Sequence, residues 1–367
     1  MQNRLLKSED LRVFTESEIS SIQEAKFVEV NKDGVLPEDA YLTTSFVEYV
    51  KVNDKMLLPK NHMLKACVVK KDDELVCVCP RNLKVSDLVL VAPTQDKEFG
   101  IFRDEDAFKE IKSLNPRNSA FTGSTDRYKR LFKMIKEVHE ANGKIAWVLG
   151  PAVVFDFDTR KALWELANEG YVSVLLAGNA MATHDLEGGY LATALGQNIY
   201  TQESVPNGHY NHLDLLNVAR HHKTLKDFID SGKVKDGFIK KMVELNLPIV
   251  LCGSIRDDGP LPEVYHEVSA GLDRMHEELK DVDLIITLAT LLHSVSSVEC
   301  APTYRVKNGK IYPTYVTSVD IADYATNAVV EARNNYLVDA IVTNVQDFCV
   351  NTRNNVLNYK EKEGRIK

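Results

Sequence analysis

Two rhythms of hydrophobic and polar residues divide the chain. Up to about residue 95, short β-prone runs dominate: SFVEYVKV (45–52), LKACVVKK (64–71), ELVCVCP (74–80) and LVLVAP (88–93). Charged or Asn/Asp segments such as Asn53-Asp54 and Lys71-Asp72-Asp73 separate them, as turns separate strands. This predicts a smaller β-rich (α+β) domain over 1–120. The stretch 95–126, with its charges, Pro116 and Gly123, reads as a connector carrying one short helix. From there to residue 367 the order becomes strand, small-residue turn, helix. KIAWVL (144–149) runs into Gly150-Pro151, YVSVLLA (171–177) into Gly178-Asn179, and PIVLC (248–252) into Gly253. DLIITLA (283–289) runs into Thr290, TYVTSV (314–319) into Asp320, and DAIVTN (339–344) comes last. Helical runs lie between: 160–169 behind an Asp158-Thr159 cap, then 214–232, 235–245, 262–280 and 322–334. Apolar strands alternating with amphipathic helices predict an α/β fold, a parallel sheet with helices on both faces.

Composition narrows the partners. With 45 Lys+Arg against 53 Asp+Glu the net charge is −8, which argues against nucleic acid or an anionic membrane as partner. A hydrophobic share of 44% excludes a disordered chain. The longest nearly unbroken apolar run, 145–155, falls short of the ~20 residues that span a bilayer. The start, MQNRLLKSEDLRVF, has no apolar core of a signal peptide, so a soluble cytoplasmic protein is expected. Six cysteines do not make a disulfide framework in a chain of this size, and Cys77 and Cys79 read as structural thiols. His209, His212 and the pair His221-His222 match no metal signature, so no metal is expected.

In an open parallel sheet, ligands bind beyond the carboxyl ends of the strands. The loops there carry Gly or small residues followed by polar groups, which suits a nucleotide with a pyrophosphate. The fingerprint G-x-G-x-x-G is absent, as are the P-loop and the G-x-S-x-G elbow, so any dinucleotide uses other turns. Asn179 and Ala180 are candidates for ribose or amide contacts, and Asp257, Asp258 or Asp320 for a ribose diol. Thr290 to His293 can turn backbone N–H groups to phosphates. Each Asp taken alone is equally a cap or turn former. Arg256 either clamps a substrate carboxylate or pairs with Asp257 or Asp258. His184-Asp185 reads as an acid–base pair, or His184 as a loop histidine bonding a carbonyl.

VLLAGNAMATHDLEGG (174–189), NGHYNHLDLLN (207–217), LCGSIRDDGPLPEV (251–264), TLATLLHSVSSVECAP (287–302) and YVTSVDIADYATNAV (315–329) carry a closer likeness. Together with DGVLPEDAYLTT (33–44), they resemble the archaeal-type ornithine cyclodeaminase family, related to a region of the lysine-ketoglutarate reductase/saccharopine dehydrogenase enzymes. The likeness runs over about 27–358. It implies a parallel-sheet NAD-binding domain of the non-GxGxxG, deoxyhypusine-synthase-like type over 121–367, with the N-terminal domain closing over substrate. It further implies tightly held NAD and conversion of L-ornithine to L-proline and ammonia. NAD contact carries onto Asn179, Ala180, Asp257, Asp258, Thr290, Leu291, Leu292, His293, Asp320 and Ile321. Arg256 as substrate anchor and His184 and Asp185 as catalytic groups rest on local chemistry alone. A homo-oligomer is expected, with the 263–280 helix as an interface. Two other readings stay open: an NAD-dependent transferase or deacylase of the deoxyhypusine-synthase-like class, and a non-catalytic NAD sensor.

Overall fold

Six parallel strands organise the larger part of the molecule: β1 (Ile145–Leu149), β2 (Val174–Gly178), β3 (Ile249–Cys252), β4 (Leu284–Leu288), β5 (Tyr315–Asp320) and β6 (Val338–Val342). The computed structural model describes residues 5–92, 99–109, 125–334 and 337–358. The strands lie in the order β3-β2-β1-β4-β5-β6, all parallel. This is the doubly wound order, whose chain direction reverses between β1 and β4. Every residue of β1 and β4 is buried, as a central parallel strand requires. The two-residue period sorts β1 between two cores. Ile145, Trp147 and Leu149 join one cluster, while Ala146 and Val148 join the cluster on the opposite face.

The helices of this part are α1 (Thr125–Glu140), α2 (Phe157–Asn168), α3 (Asn179–Leu191), α4 (Asn211–Ala219), α5 (Leu225–Asp230) and α6 (Phe238–Glu244). They continue with α7 (Val268–Leu279), α8 (Leu291–Cys300), α9 (Asp323–Ala332) and α10 (Val345–Val356). Several differ from the sequence expectation. The cap of α2 is Asp156, whose side chain accepts the Thr159 N–H at 2.8 Å, not Asp158-Thr159. The run 214–232 breaks into α4 and α5 because Thr224 forms a capping box with Asp227 and restarts the helix. The run 262–280 is helical only from Val268, since Tyr265 is extended and bridges Cys252.

The N-terminal region is β-rich. One antiparallel sheet joins Lys26–Glu29, Leu88–Val91, Cys67–Lys71 and Glu74–Val78, and another joins Lys55–Leu57, Val47–Val52 and Ile101–Asp104. Ile101–Asp104 falls inside the expected connector, whose segments 93–98 and 110–124 lie outside the described residues. This region docks on the flank of the α/β part. Arg81 and Asn82 both bond Asp273 of α7, at 2.5 and 2.9 Å. The Leu64 N–H donates to Glu299 O at 3.2 Å near the end of α8, and Ser45 Oγ donates to Arg333 O at 3.0 Å just past α9. Glu9–Asp10 pairs with Lys310–Pro313, which runs into β5. These contacts lie along the helix layer and toward the amino ends of the strands, whereas the carboxyl ends face the other way.

Candidate functional site

The crevice begins where β1 and β4 end side by side. The Gly150 N–H donates to Leu288 O at 2.8 Å, and a Cβ at Gly150 would sit 1.8 Å from Ala289 O. Only glycine lets these loops approach so closely, at the point where the winding reverses.

Three helices that follow strands of the sheet start without a side-chain cap. The N-cap positions of α3, α8 and α9 are Gly178, Thr290 and Ala322, and none makes a side-chain cap. Of the others, α2, α5, α7 and α10 are capped by Asp156, Thr224, Glu267 and Asn344, and α4 and α6, behind Tyr210 and Gly237, are uncapped as well. The first N–H groups of a helix need acceptors, and the positive end of its dipole favours an anion. The three uncapped starts after β2, β4 and β5 fit a ligand that brings phosphate and hydroxyl oxygens. His293 leans across this space: a Cβ on Gly178 would lie 3.1 Å from its Cε1. Burial pushes the His293 pKa below its ordinary value, opposed by the nearby Asp257 carboxylate, so the ring is neutral at pH 7.

The other sequence candidates sort by geometry. Asn179 is buried, and its side-chain amide is already occupied. Nδ2 donates to Gly259 O at 2.8 Å and Oδ1 accepts the Leu261 N–H at 3.0 Å, tying α3 to the loop after β3. Ala180 and Leu291 are half-buried in the first turns of α3 and α8, while Leu292 and Ile321 project outward. Asp257 closes a turn on Ser254, accepting its N–H at 2.7 Å and Oγ at 3.2 Å. Asp320 accepts the Ala322 N–H at 2.9 Å. Arg256 is exposed and, among the described residues, in no ion pair. Asp258 turns instead to His212, whose Nε2 lies 2.7 Å from its Oδ2.

His184, which the sequence also allowed as a loop histidine, is helical: α3 starts at Asn179. His184 and Asp185 therefore point about 100° apart, and their expected pairing is not what the structure shows. His184 shares a face with Glu187, three residues on, and its Nδ1 lies 2.9 Å from Glu187 Oε2. Thr193 Oγ1 donates to the other Glu187 oxygen at 2.7 Å, and Asn211 Nδ2 donates to Thr193 Oγ1 at 2.8 Å. This chain fixes the carboxylate, which holds a proton on Nδ1 and leaves Nε2 free. The His184 ring meets Phe155 edge-on at 5.7 Å and the His212 ring at 6.0 Å, centroid to centroid. Asp185 serves another purpose. Fully buried, it accepts from Arg160 Nε at 2.9 Å and from the Ile239 N–H at 2.7 Å. Gly188 and Gly189 make room for this cluster. A Cβ on Gly188 would lie 2.8 Å from Arg160 Cζ, and one on Gly189 would lie 2.1 Å from Asp236 O. Sequence reasoning missed Glu187, Thr193 and Asn211, and weighed His212 only as a metal ligand. The one available signal was the His-x-x-Glu spacing, which has meaning only once 184–187 is known to be helical.

A second concavity of about 960 Å³ opens at the amino ends of the strands, between Leu6, Glu137, Asp283 and Arg305. Two of its charges are engaged within the protein: Arg305 binds Asp283 at 2.8 Å, and Glu137 accepts the Leu5 and Leu6 N–H groups. It lies on the wrong edge for a ligand of a parallel sheet.

Comparison with known proteins agrees with this geometry. Residues 129–349 match the family described as arginine dihydrolase ArgZ-like, C-terminal, Rossmann fold. The chain is 34% identical over 306 residues to an ornithine cyclodeaminase of Methanocaldococcus jannaschii, covering 78% of this chain and 70% of that one. Among solved structures it resembles a conserved LOR/SDH protein of Methanococcus maripaludis S2, with a TM-score of 0.81, 29% identity, and coverage of 92% of this chain and 100% of that one. It also resembles AgrE in its ternary complex with ornithine and NAD+, with a TM-score of 0.59, 25% identity, and coverage of 94% of this chain and 47% of that one. The chain belongs to the archaeal-type ornithine cyclodeaminase family, whose Rossmann-fold part it shares with the C-terminal region of ArgZ-like arginine dihydrolases.

Proposed function

We propose that the protein is an ornithine cyclodeaminase that converts L-ornithine to L-proline and ammonia with tightly held NAD. The observation that carries this is one crevice combining two features: uncapped helix starts for a dinucleotide, and a buried histidine–carboxylate couple next to them. The relationship to ornithine cyclodeaminases, and to AgrE bound to ornithine and NAD+, supports it. When bound, NAD supplies a hydride acceptor and then a hydride donor, so no net oxidation occurs.

The chain's own residues would do the rest. The first N–H groups of α3 and α8 hold the pyrophosphate, and Asp320 faces a ribose diol. This set of turns, without G-x-G-x-x-G, is of the deoxyhypusine-synthase-like kind. Arg256, exposed and unpaired among the described residues, anchors the α-carboxylate. The α-amine must be neutral to release hydride from Cα, and His184, oriented by Glu187, accepts its proton. Holding the δ-amine near Cα makes closure of a five-membered ring intramolecular, which favours it strongly. Phe155 and the buried walls around His184 exclude water, which would otherwise hydrolyse the α-imino acid before the ring closes.

Purified protein given L-ornithine and no added nucleotide should form proline and ammonia in equal amounts and release NAD on denaturation. Free nicotinamide without proline would overturn the proposal in favour of an NAD-consuming transferase. Bound NAD that survives with no product would leave a sensor.

A further inference from the structure

His212 and Asp258 make a histidine–carboxylate couple that the scheme above does not use. Nε2 lies 2.7 Å from Asp258 Oδ2, leaving Nδ1 free, and the ring stands 6.0 Å from that of His184, tilted by 55° and out of stacking contact. Three separate elements build this pairing: α3 brings His184, the first turn of α4 brings His212, and the loop after β3 brings Asp258. The two couples differ in depth. The side chains of His184 and Glu187 are 9% and 1% exposed, and those of His212 and Asp258 are 20% and 61% exposed.

Ornithine reaches the site with two ammonium groups. The α-nitrogen must lose a proton before hydride leaves Cα, and the δ-nitrogen must lose one before it attacks. One imidazole holding the first proton cannot accept the second. Resting on the ornithine reading above, we propose that His212 is a second catalytic residue, serving the δ-nitrogen while His184 serves the α-nitrogen. His212 takes a proton from the δ-ammonium, and the freed lone pair forms the bond to Cα. The imidazolium returns that proton to the α-nitrogen and accepts the one shed by the new ring nitrogen. The Cα–Nα bond breaks with its electron pair leaving on ammonia, while the ring nitrogen's pair closes the C=N bond. The outer position of His212 and Asp258 lets the remaining proton pass to water.

The test uses full-length His212→Gln with its bound NAD, mixed with L-ornithine in a single turnover. Proline formation should fall ~10²- to 10⁴-fold, the usual worth of a general acid–base group. NAD retention should be unchanged, and absorbance at the NADH wavelength should rise and persist, because hydride leaves Cα but the ring does not close. Raising the pH toward the amine value of about 10 should recover part of the rate, since solvent then supplies the neutral δ-amine. Proline formation within about threefold of wild type would overturn the proposal. So would loss of NADH formation and proline in equal proportion with NAD still bound. If His212→Gln fails to fold, Asp258→Asn should show the same persistent NADH with a smaller fall, and wild-type behaviour there overturns the proposal. If wild-type protein itself makes no proline, the function reading fails, and not the assignment of His212.

Discussion

Asp185 and Glu187 sit two residues apart on one helix, both fully buried, and they do opposite things. Asp185 is closed off: a guanidinium and a backbone N–H consume its oxygens, and three glycines crowd the space around Arg160, Asp185 and Asp236. Glu187 is held just as firmly by Thr193, but its other oxygen meets an imidazole with a free nitrogen. Burial alone does not mark a site. A carboxylate whose partner has no unused chemistry is a staple, and one whose partner keeps a titratable nitrogen is a tool.

Substitutions at the two positions should therefore part company. Asp185→Ala leaves the buried Arg160 charge with Asp236 as its one remaining carboxylate partner among the described residues and should cost about 3–5 kcal/mol of stability, seen as a large drop in the denaturant midpoint. Glu187→Gln keeps the shape and a hydrogen bond. Its denaturation midpoint should move little, while proline formation falls by roughly 10²-fold or more as His184 loses its orienting charge. Equal stability losses at both positions would erase the distinction.

Gly150→Ala tests the crevice itself. Its Cβ would meet the backbone of Ala289, which has no side-chain freedom to yield, so a loss of about 1–3 kcal/mol and weakened NAD retention are expected. A calorimetric melt and the nucleotide released on denaturation would read both.

The alternation of buried strands and small-residue turns was enough to place all six strands of the parallel sheet and the crevice at their carboxyl ends. The helix that carries the proposed chemistry was not readable. In α3 ten of thirteen residues are buried, so NAMATHDLEGGYL has no polar face and no amphipathic period to betray it. Gly188 is clearance for Arg160, and Gly189 for the Asp236 backbone. The Glu187 and His212 partnerships depend on helix register and on loops brought together by the fold, information absent from any local window. The docking of the N-terminal region was equally hidden, since it rests on single bonds such as Arg81 to Asp273.

That docking gives an effect that appears only as the pH falls below neutral. His62, wholly enclosed, has its ring against Tyr304 at 4.6 Å and its Nε2 3.1 Å from Thr44 O. Burial lowers its pKa from 6.5 to about 3. The folded state thus binds this proton less readily than the unfolded one. The stability due to neutral His62 is present above pH 6.5 and drains as pH falls toward 3, by at most about 1.4 kcal/mol per pH unit. Denaturation curves across that window should flatten in His62→Gln.

The internal hydride shuttle is tested most directly with L-ornithine carrying deuterium at Cα and no added nucleotide. The account predicts proline that keeps the deuterium at Cα, because the hydride removed is the one returned. Proline with protium at Cα, or deuterium released on free NADH beside a 2-oxo acid, would contradict it.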